Sequence, residues 1–380
     1  MNLAVIGTSR KENEKRVAIH PEHIKNISKN MRRHLFFEKG YGKPFGMSDE
    51  KIEVLTGHQL VDRQTMLREF DAILIPKPVE EDFQEMKEGA LVWGWVHSVQ
   101  QSKITQIAID KKLTLMAWGN MYSKGNRSRT HVFQKNNEMA GYCGVQHAMQ
   151  LRGIDGNYGM ARKAAVLSFG SVSRGAICAL LGHGIHDITV FTQRPCHLVA
   201  DKIPGIQYKC LHKNETGNFE VESPHGKRKL LIDELINADI IVNGILQNPN
   251  APVTFIQDSD VIKFRKECLV IDISCDMEMG FSFAHPTDLA HPFYKQGNIL
   301  YYSVDHTPTL LWDSASWEIS NCILPYLKDF MGQVYNPVLN DAIDIKDGVI
   351  LNKNILEYQN RSHIYPYVQR NYKNQNEKVS

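Results

Sequence analysis

The sequence predicts an α/β protein of two doubly wound parallel-sheet domains separated by a cleft, and three features carry that expectation. Short apolar runs alternate with amphipathic stretches through both halves of the chain, as βαβ units require. Midway stands Leu167-Ser168-Phe169-Gly170-Ser171-Val172-Ser173, an apolar strand running through a glycine turn into a helix, the outline of a phosphate-cradling turn. At 380 residues the chain is also too long for one ordinary core and comfortable as two.

In the first third, Leu3–Gly7, His34–Glu38, Ala72–Ile75, Leu91–Val96 and Thr114–Trp118 read as strands between helical segments. Pro21 fits the first turn of a helix after Ile19-His20, and Gly40 and Gly42 mark the turn after the second strand. From about 128 to 152, Val132, Met139, Tyr142, Cys143, Val145 and Met149 recur with helical period. Gly141 and Gly144 in that stretch let another backbone come close, and this helix is expected to cross from the first domain into the second. A second strand series follows: Ala164–Phe169, Ile188–Thr192, Ile240–Gly244, Cys268–Ser274 and Ile299–Val304.

The stretch from Leu211 to Arg228 is polar and rich in Gly, Asn and Glu, which predicts a surface loop. A late helix should begin in Asp313-Ser314-Ala315-Ser316-Trp317-Glu318, capped by Asp or Ser. Its apolar face is Trp317, Ile319, Ile323, Leu324 and Leu327. After about Lys353 the chain turns polar, and a loosely ordered or assembly segment is expected. The expected division is 1–130 with 305–350 as a substrate domain, 131–304 as a dinucleotide-binding domain, and 351–380 as a tail.

Composition narrows the function. An apolar fraction of 42% and a charged fraction of 23% fit a folded globular protein. A net charge of +2 without long Lys/Arg stretches argues against a nucleic-acid surface. No window approaches the roughly 20 apolar residues of a membrane span, and the start reads at once as a strand rather than a signal peptide. A cytoplasmic protein with no membrane partner is therefore expected. The seven cysteines are scattered without CxxC spacing, so reduced thiols are expected, with Cys143, Cys178 and Cys322 in core-like segments. No metal-ligand spacing appears, and no metal is expected.

The candidate chemical groups stand at strand exits, where open α/β sheets bind ligands. Lys77, between Pro76 and Pro78, and His97, after Trp93 and Trp95, could bind a carboxylate and move protons. Arg16 could grip a carboxylate through paired hydrogen bonds, although its spacing alone favours a surface arginine in a charged loop. Gly170, Ser171, Val172 and Ser173 form the candidate phosphate loop, with Ser168 and Ser173 in places a dinucleotide fingerprint gives to small residues. The next strand ends in Gln193-Arg194 with no acidic residue at its tip, which favours NADPH over NADH. Asn243 and Gly244 could touch a ribose, and Asp272 and Asp276 flank a further strand exit. Together these features point to a two-domain, Rossmann-like redox enzyme.

Five segments strengthen this reading: Arg16-Val17-Ala18-Ile19-His20-Pro21, Ile75-Pro76-Lys77, Trp95-Val96-His97, Ala140-Gly141-Tyr142-Cys143-Gly144-Val145 and Val270-Ile271-Asp272-Ile273-Ser274-Cys275-Asp276. Their types and order resemble the alanine dehydrogenase and pyridine nucleotide transhydrogenase superfamily. Gly94-Trp95-Val96-His97 and Ile241-Val242-Asn243-Gly244-Ile245 bring the likeness nearest to the carboxyethylornithine synthases. Val304-Asp305-His306-Thr307-Pro308-Thr309-Leu310-Leu311 resembles the lysine-forming saccharopine dehydrogenases.

The resemblance implies an NADPH-dependent reductase that condenses a 2-keto acid such as pyruvate with the side-chain amine of ornithine or lysine, then reduces the imine. It implies Arg16 as the carboxylate binder, Lys77 and His97 as keto-acid and proton-handling groups, and Asp276 near the nicotinamide. Self-association into a homo-oligomer is expected with it. An ammonia-using amino-acid dehydrogenase, or a non-catalytic nucleotide-binding homologue, are the alternatives.

Overall fold

The computed structural model describes residues 1–124, 129–222, 228–245, 247, 252–275, 277 and 279–370. It divides into one unit of Met1–Phe133 with Leu311–Ser380 and a second of Gln134–Leu310. Val132 and Phe133 pack with the first unit's core.

In the first unit, Leu3–Val5 (β1), Leu35–Phe37 (β2), Ala72–Leu74 (β3), Leu91–Gly94 (β4) and Thr114–Ala117 (β5) pair in parallel in the order β2-β1-β3-β4-β5. The short apolar runs form strands buried on both faces. Leu3 and Val5 enter one cluster with Trp93 and Trp118, while Ala4 and Ile6 enter another with Val92 and Leu115. That split is the two-residue alternation of a strand covered on both sides. Pro21 does open a helix, a short 3₁₀ segment over Pro21–Asn26. The late helix runs Trp312–Gly332 and buries Ile319, Ile323 and Leu327. Trp317 does not join them: it is 43% exposed, lying against the rings of His20 and His23.

Two further expectations fail in this unit. The helix expected from 128 begins only at Gln134, because Arg129–His131 pairs with Tyr122–Lys124 as an antiparallel hairpin. Beyond 350 the chain is not loose through Arg370. Ile343–Lys346 extends the sheet antiparallel to β5 and pairs with Val349–Ile350. The helix Lys353–Tyr358 then buries Ile355 and Leu356, and Arg361 and Tyr367 are buried after it.

In the second unit, the helix Gln134–Arg152 (α1) precedes Lys163–Leu167 (β6), Ser171–Gly182 (α2), Asp187–Thr192 (β7) and Gln207–Lys213 (β8). Phe219–Glu222 (β9), Arg228–Leu230 (β10), Ile240–Asn243 (β11), Cys268–Asp272 (β12), Phe293–Gln296 (β13) and Ile299–Tyr302 (β14) complete the sheet. Its parallel centre is β8-β7-β6-β11-β12-β14. That is the 3-2-1-4-5-6 order of a dinucleotide-binding sheet. The loop expected after Cys210 is instead an antiparallel meander, β8-β9-β10. Leu211, Phe219 and Val221 are its buried alternate positions, diluted in sequence by the charged residues of the other face.

Gly141 and Gly175 bring α1 and α2 into backbone contact. A Cβ on Gly141 would lie 1.9 Å from the Val172 carbonyl oxygen, and one on Gly175 would lie 1.8 Å from that of Glu138. Only glycine fits such an approach. Of the cysteines expected in the core, Cys143 is buried, Cys322 is half-buried and Cys178 is exposed.

Candidate functional site

The order of the first sheet reverses between β1 and β3, and the loops leaving those strands stand where open sheets bind ligands. They carry Ser9, Glu14, Arg16 and Lys77, and the Ser9 hydroxyl donates to the Lys77 carbonyl at 3.2 Å. Arg16 is not a surface arginine: it is 5% exposed. Its Nε and Nη2 donate to Glu14 Oε1 and Oε2 at 2.8 and 2.5 Å, and its guanidinium lies 4.9 Å from the Trp95 ring centroid.

Burial would push the Glu14 carboxyl up. The charge and hydrogen bonds of Arg16, with the Lys77 charge behind them, prevail and hold it below its ordinary value. Arg16 and Lys77 thus set two cations beside the Glu14 carboxylate, and such cations are the groups that bind a carboxylate. The sequence reading missed Glu14. Its only signal is an acid two residues before Arg16, which in an unfolded chain looks like any charged loop.

Lys77 and His97 are equivalently placed, each three residues beyond its strand (Leu74 to Lys77, Gly94 to His97), and those strands are hydrogen-bonded neighbours. The Trp95 N–H donates to the Pro76 carbonyl at 2.9 Å, closing the two exits together. Lys77 is half-buried between the buried Pro76 and Pro78. His97 is exposed and adopts φ +47°, in the left-handed region that non-glycine residues occupy only where surroundings impose it.

Those surroundings come from the C-terminal segment. Ser98, adjoining His97, donates its hydroxyl to the buried Asp344, which also accepts from Asn120 and Asn352 at 2.7 and 2.9 Å. The Gln359 amide donates to the carbonyls of Ser98 and Val99 at 2.7 and 3.0 Å. Arg361 Nε in turn donates to Gln359 Oε1 at 2.6 Å. Sequence gave no hint of this bracing, because its partners lie some 250 residues apart.

In the second unit the order reverses between β6 and β11, and the turn after β6 leads into α2. Gly170 caps α2 with no side-chain hydrogen bond, and a Cβ there would meet open space. The first N–H groups of Ser171, Val172 and Ser173 therefore lie at an uncapped helix start, the chemistry that receives a phosphate. Ser168 takes φ +80°, where glycine would sit without strain. Its hydroxyl compensates by bonding Ser173 Oγ at 2.7 Å and the Gly244 carbonyl at 3.0 Å. The serines that depart from the glycine fingerprint thus lock the turn together. These residues fit a dinucleotide's pyrophosphate.

Gln193 and Arg194 are exposed at the tip of β7. Asn243 and Gly244 are both buried, and the Asn243 amide donates to Asp272 Oδ1 at 2.9 Å. Asp272 also accepts from Tyr301 and from the backbone N–H groups of Ser274 and Cys275. Burial pushes its carboxyl up to about 6 against these hydrogen bonds. Asp276 lies outside the described residues.

A cavity of about 250 Å³ opens at the opposite, amino-terminal ends of β6, β7 and β8. Its charged walls are paired, as Lys209 is with Glu234 at 3.0 Å. Among the described residues, no group of three or more His, Cys, Asp or Glu is placed to hold a metal, and no helix is long and apolar enough to cross a membrane.

Comparison with known proteins gives a consistent picture. The family described as "Alanine dehydrogenase/PNT, N-terminal domain" matches residues 6–140, and its C-terminal counterpart matches 205–358. The chain is 26% identical to an N(5)-(carboxyethyl)ornithine synthase of Clostridium botulinum, covering 88% of this chain and 94% of that protein. It is 21% identical to an alanine dehydrogenase of Staphylococcus saprophyticus, covering 94% and 98%. Among solved structures, an L-alanine dehydrogenase superposes with a TM-score of 0.72 at 17% identity, covering 94% of this chain and 99% of that one. A transhydrogenase from Sinorhizobium meliloti follows at 0.69 and 16% identity, covering 92% and 100%.

Proposed function

The chain belongs to the alanine dehydrogenase/pyridine nucleotide transhydrogenase family, an enzymatic family of nicotinamide-nucleotide oxidoreductases, and we propose that it is an opine-type reductase. In this reading it joins a pyruvate-like 2-keto acid to the side-chain amine of ornithine or lysine and reduces the imine with NADPH. What supports it is the 26% identity to an N(5)-(carboxyethyl)ornithine synthase, together with the buried Arg16–Glu14 pair under the charge of Lys77 and with His97 at the neighbouring strand exit.

Glu14 orients the Arg16 guanidinium, and Arg16 with Lys77 holds the keto-acid carboxylate. Lys77 and His97 handle the protons of the condensation. The amine adds to the keto carbon, a proton reaches the carbonyl oxygen, and water leaves as the C=N bond forms. His97, exposed at its strand exit, can exchange that proton with solvent. Ser171, Val172 and Ser173 would hold the pyrophosphate through their backbone N–H groups. Arg194 would hold the additional phosphate that distinguishes NADPH. The bound nicotinamide supplies the hydride, and the protein supplies geometry and protons.

The reading is tested by incubating the enzyme with NADPH, pyruvate and ornithine and identifying the product by mass spectrometry. A secondary amine carrying both carbon skeletons is expected. Free alanine, formed with ammonia in place of ornithine, would assign the chain to the ammonia-using dehydrogenases that its relatives include.

A further inference from the structure

We propose that Cys196 and Cys210 form a reversible disulfide that controls the turn carrying Arg194. The two thiols belong to separate segments, yet their sulfurs stand 2.7 Å apart, while neither is linked. Cys210 sits in β8 opposite Thr192, the last residue of β7. The chain then turns through Gln193, Arg194 and Pro195, so that Cys196 returns onto Cys210. Its backbone N–H donates to Cys210 Sγ at 3.0 Å, and the Cys210 thiol reaches the Arg194 carbonyl at 3.7 Å. The segment beyond is tied to the phosphate turn. Arg174 lies 4.0 Å over the Phe169 ring and donates to the carbonyls of Ala200 and Asp201, both at 3.0 Å.

Both sulfurs are half-buried, so small oxidants reach them. Burial, then the neighbouring Cys210 sulfur, pushes the Cys196 thiol up to about 11. Cys210, whose sulfur accepts the Cys196 N–H, is assigned as the sulfur that is oxidised first, and Cys196 as the one that resolves it. A hydroperoxide oxidises Cys210 to the sulfenic acid, its O–O bond breaking as it is reduced to water or an alcohol. Cys196 sulfur then attacks Cys210 sulfur, the S–O bond breaks, and a second water leaves as the S–S bond forms. Two thiols lose two protons and two electrons, and one hydroperoxide accepts both electrons. The cross-link removes the Cys210 thiol's bond to the Arg194 carbonyl and pins the turn, so NADPH affinity should fall.

The consequence for cofactor rests on the functional reading of Arg194; the cross-link itself does not. The test treats the full chain with hydrogen peroxide and maps peptides without reduction, then measures NADPH binding by fluorescence before and after dithiothreitol. A Cys196–Cys210 peptide is expected, with about threefold or greater weakening of NADPH binding, both reversed by dithiothreitol and both absent in Cys196→Ser. Oxidation of the exposed Cys178 with no 196–210 peptide would overturn the disulfide. A cross-link that leaves NADPH affinity unchanged would overturn the control of the turn. NADPH binding to neither redox state would count against the functional reading while leaving the cross-link standing.

Discussion

At the scale of single residues, Glu14 decides how Arg16 is read. A buried arginine needs a partner or it becomes an uncompensated charge, and Glu14 supplies one along the Nε–Nη2 edge of the guanidinium. Arg16 was legible as a functional candidate from its position after the first strand. Its burial was not, because the pairing depends on a loop conformation that no spacing rule encodes. We expect Lys77→Ala and His97→Ala each to lower turnover by about a hundredfold or more. NADPH affinity, measured by fluorescence titration, should stay within about twofold; full activity in either variant would remove that residue from the mechanism.

Asp272 makes a pH prediction. Its folded value of about 6 lies above the roughly 3.9 of an unfolded chain, so the folded protein holds this proton more tightly. The contribution is present in full below about pH 4 and is lost as pH rises through about 6, on the order of 3 kcal/mol. Urea melts should show wild type losing stability relative to Asp272→Asn across that window. Parallel curves would show that Asp272 is not held protonated.

Among the elements, parallel strands were the most legible, since burial on both faces writes them as continuous apolar runs such as Ala72-Ile73-Leu74. Elements with one wet face were the least legible: β8 to β10 alternate buried Leu211 and Val221 with charged neighbours and read as loop. The α1–α2 contact follows from two glycines, and a methyl group on Gly175 has no room. Gly175→Ala should cost about 1–3 kcal/mol in unfolding and weaken NADPH binding, because α2 carries the phosphate turn on its first residues. Wild-type stability in that variant would mean that the helices separate at no cost.

For the whole molecule, the C-terminal segment ties chain order to chemistry. Residues beyond 350 were unreadable as structure because their apolar content is sparse. Few anchors suffice when Ile355, Leu356 and Tyr367 are buried and Gln359 and Arg361 bond the loop after His97. Deleting 353–380 should destabilise the first unit by several kcal/mol, read as a lowered urea midpoint, and should depress turnover more than NADPH affinity. The central claim concerns the amine. The most direct measurement compares kcat/KM for NADPH oxidation with pyruvate plus ornithine or lysine against pyruvate plus ammonia. The account predicts turnover with a diamino acid and little with ammonia; equal or faster turnover with ammonia would contradict it.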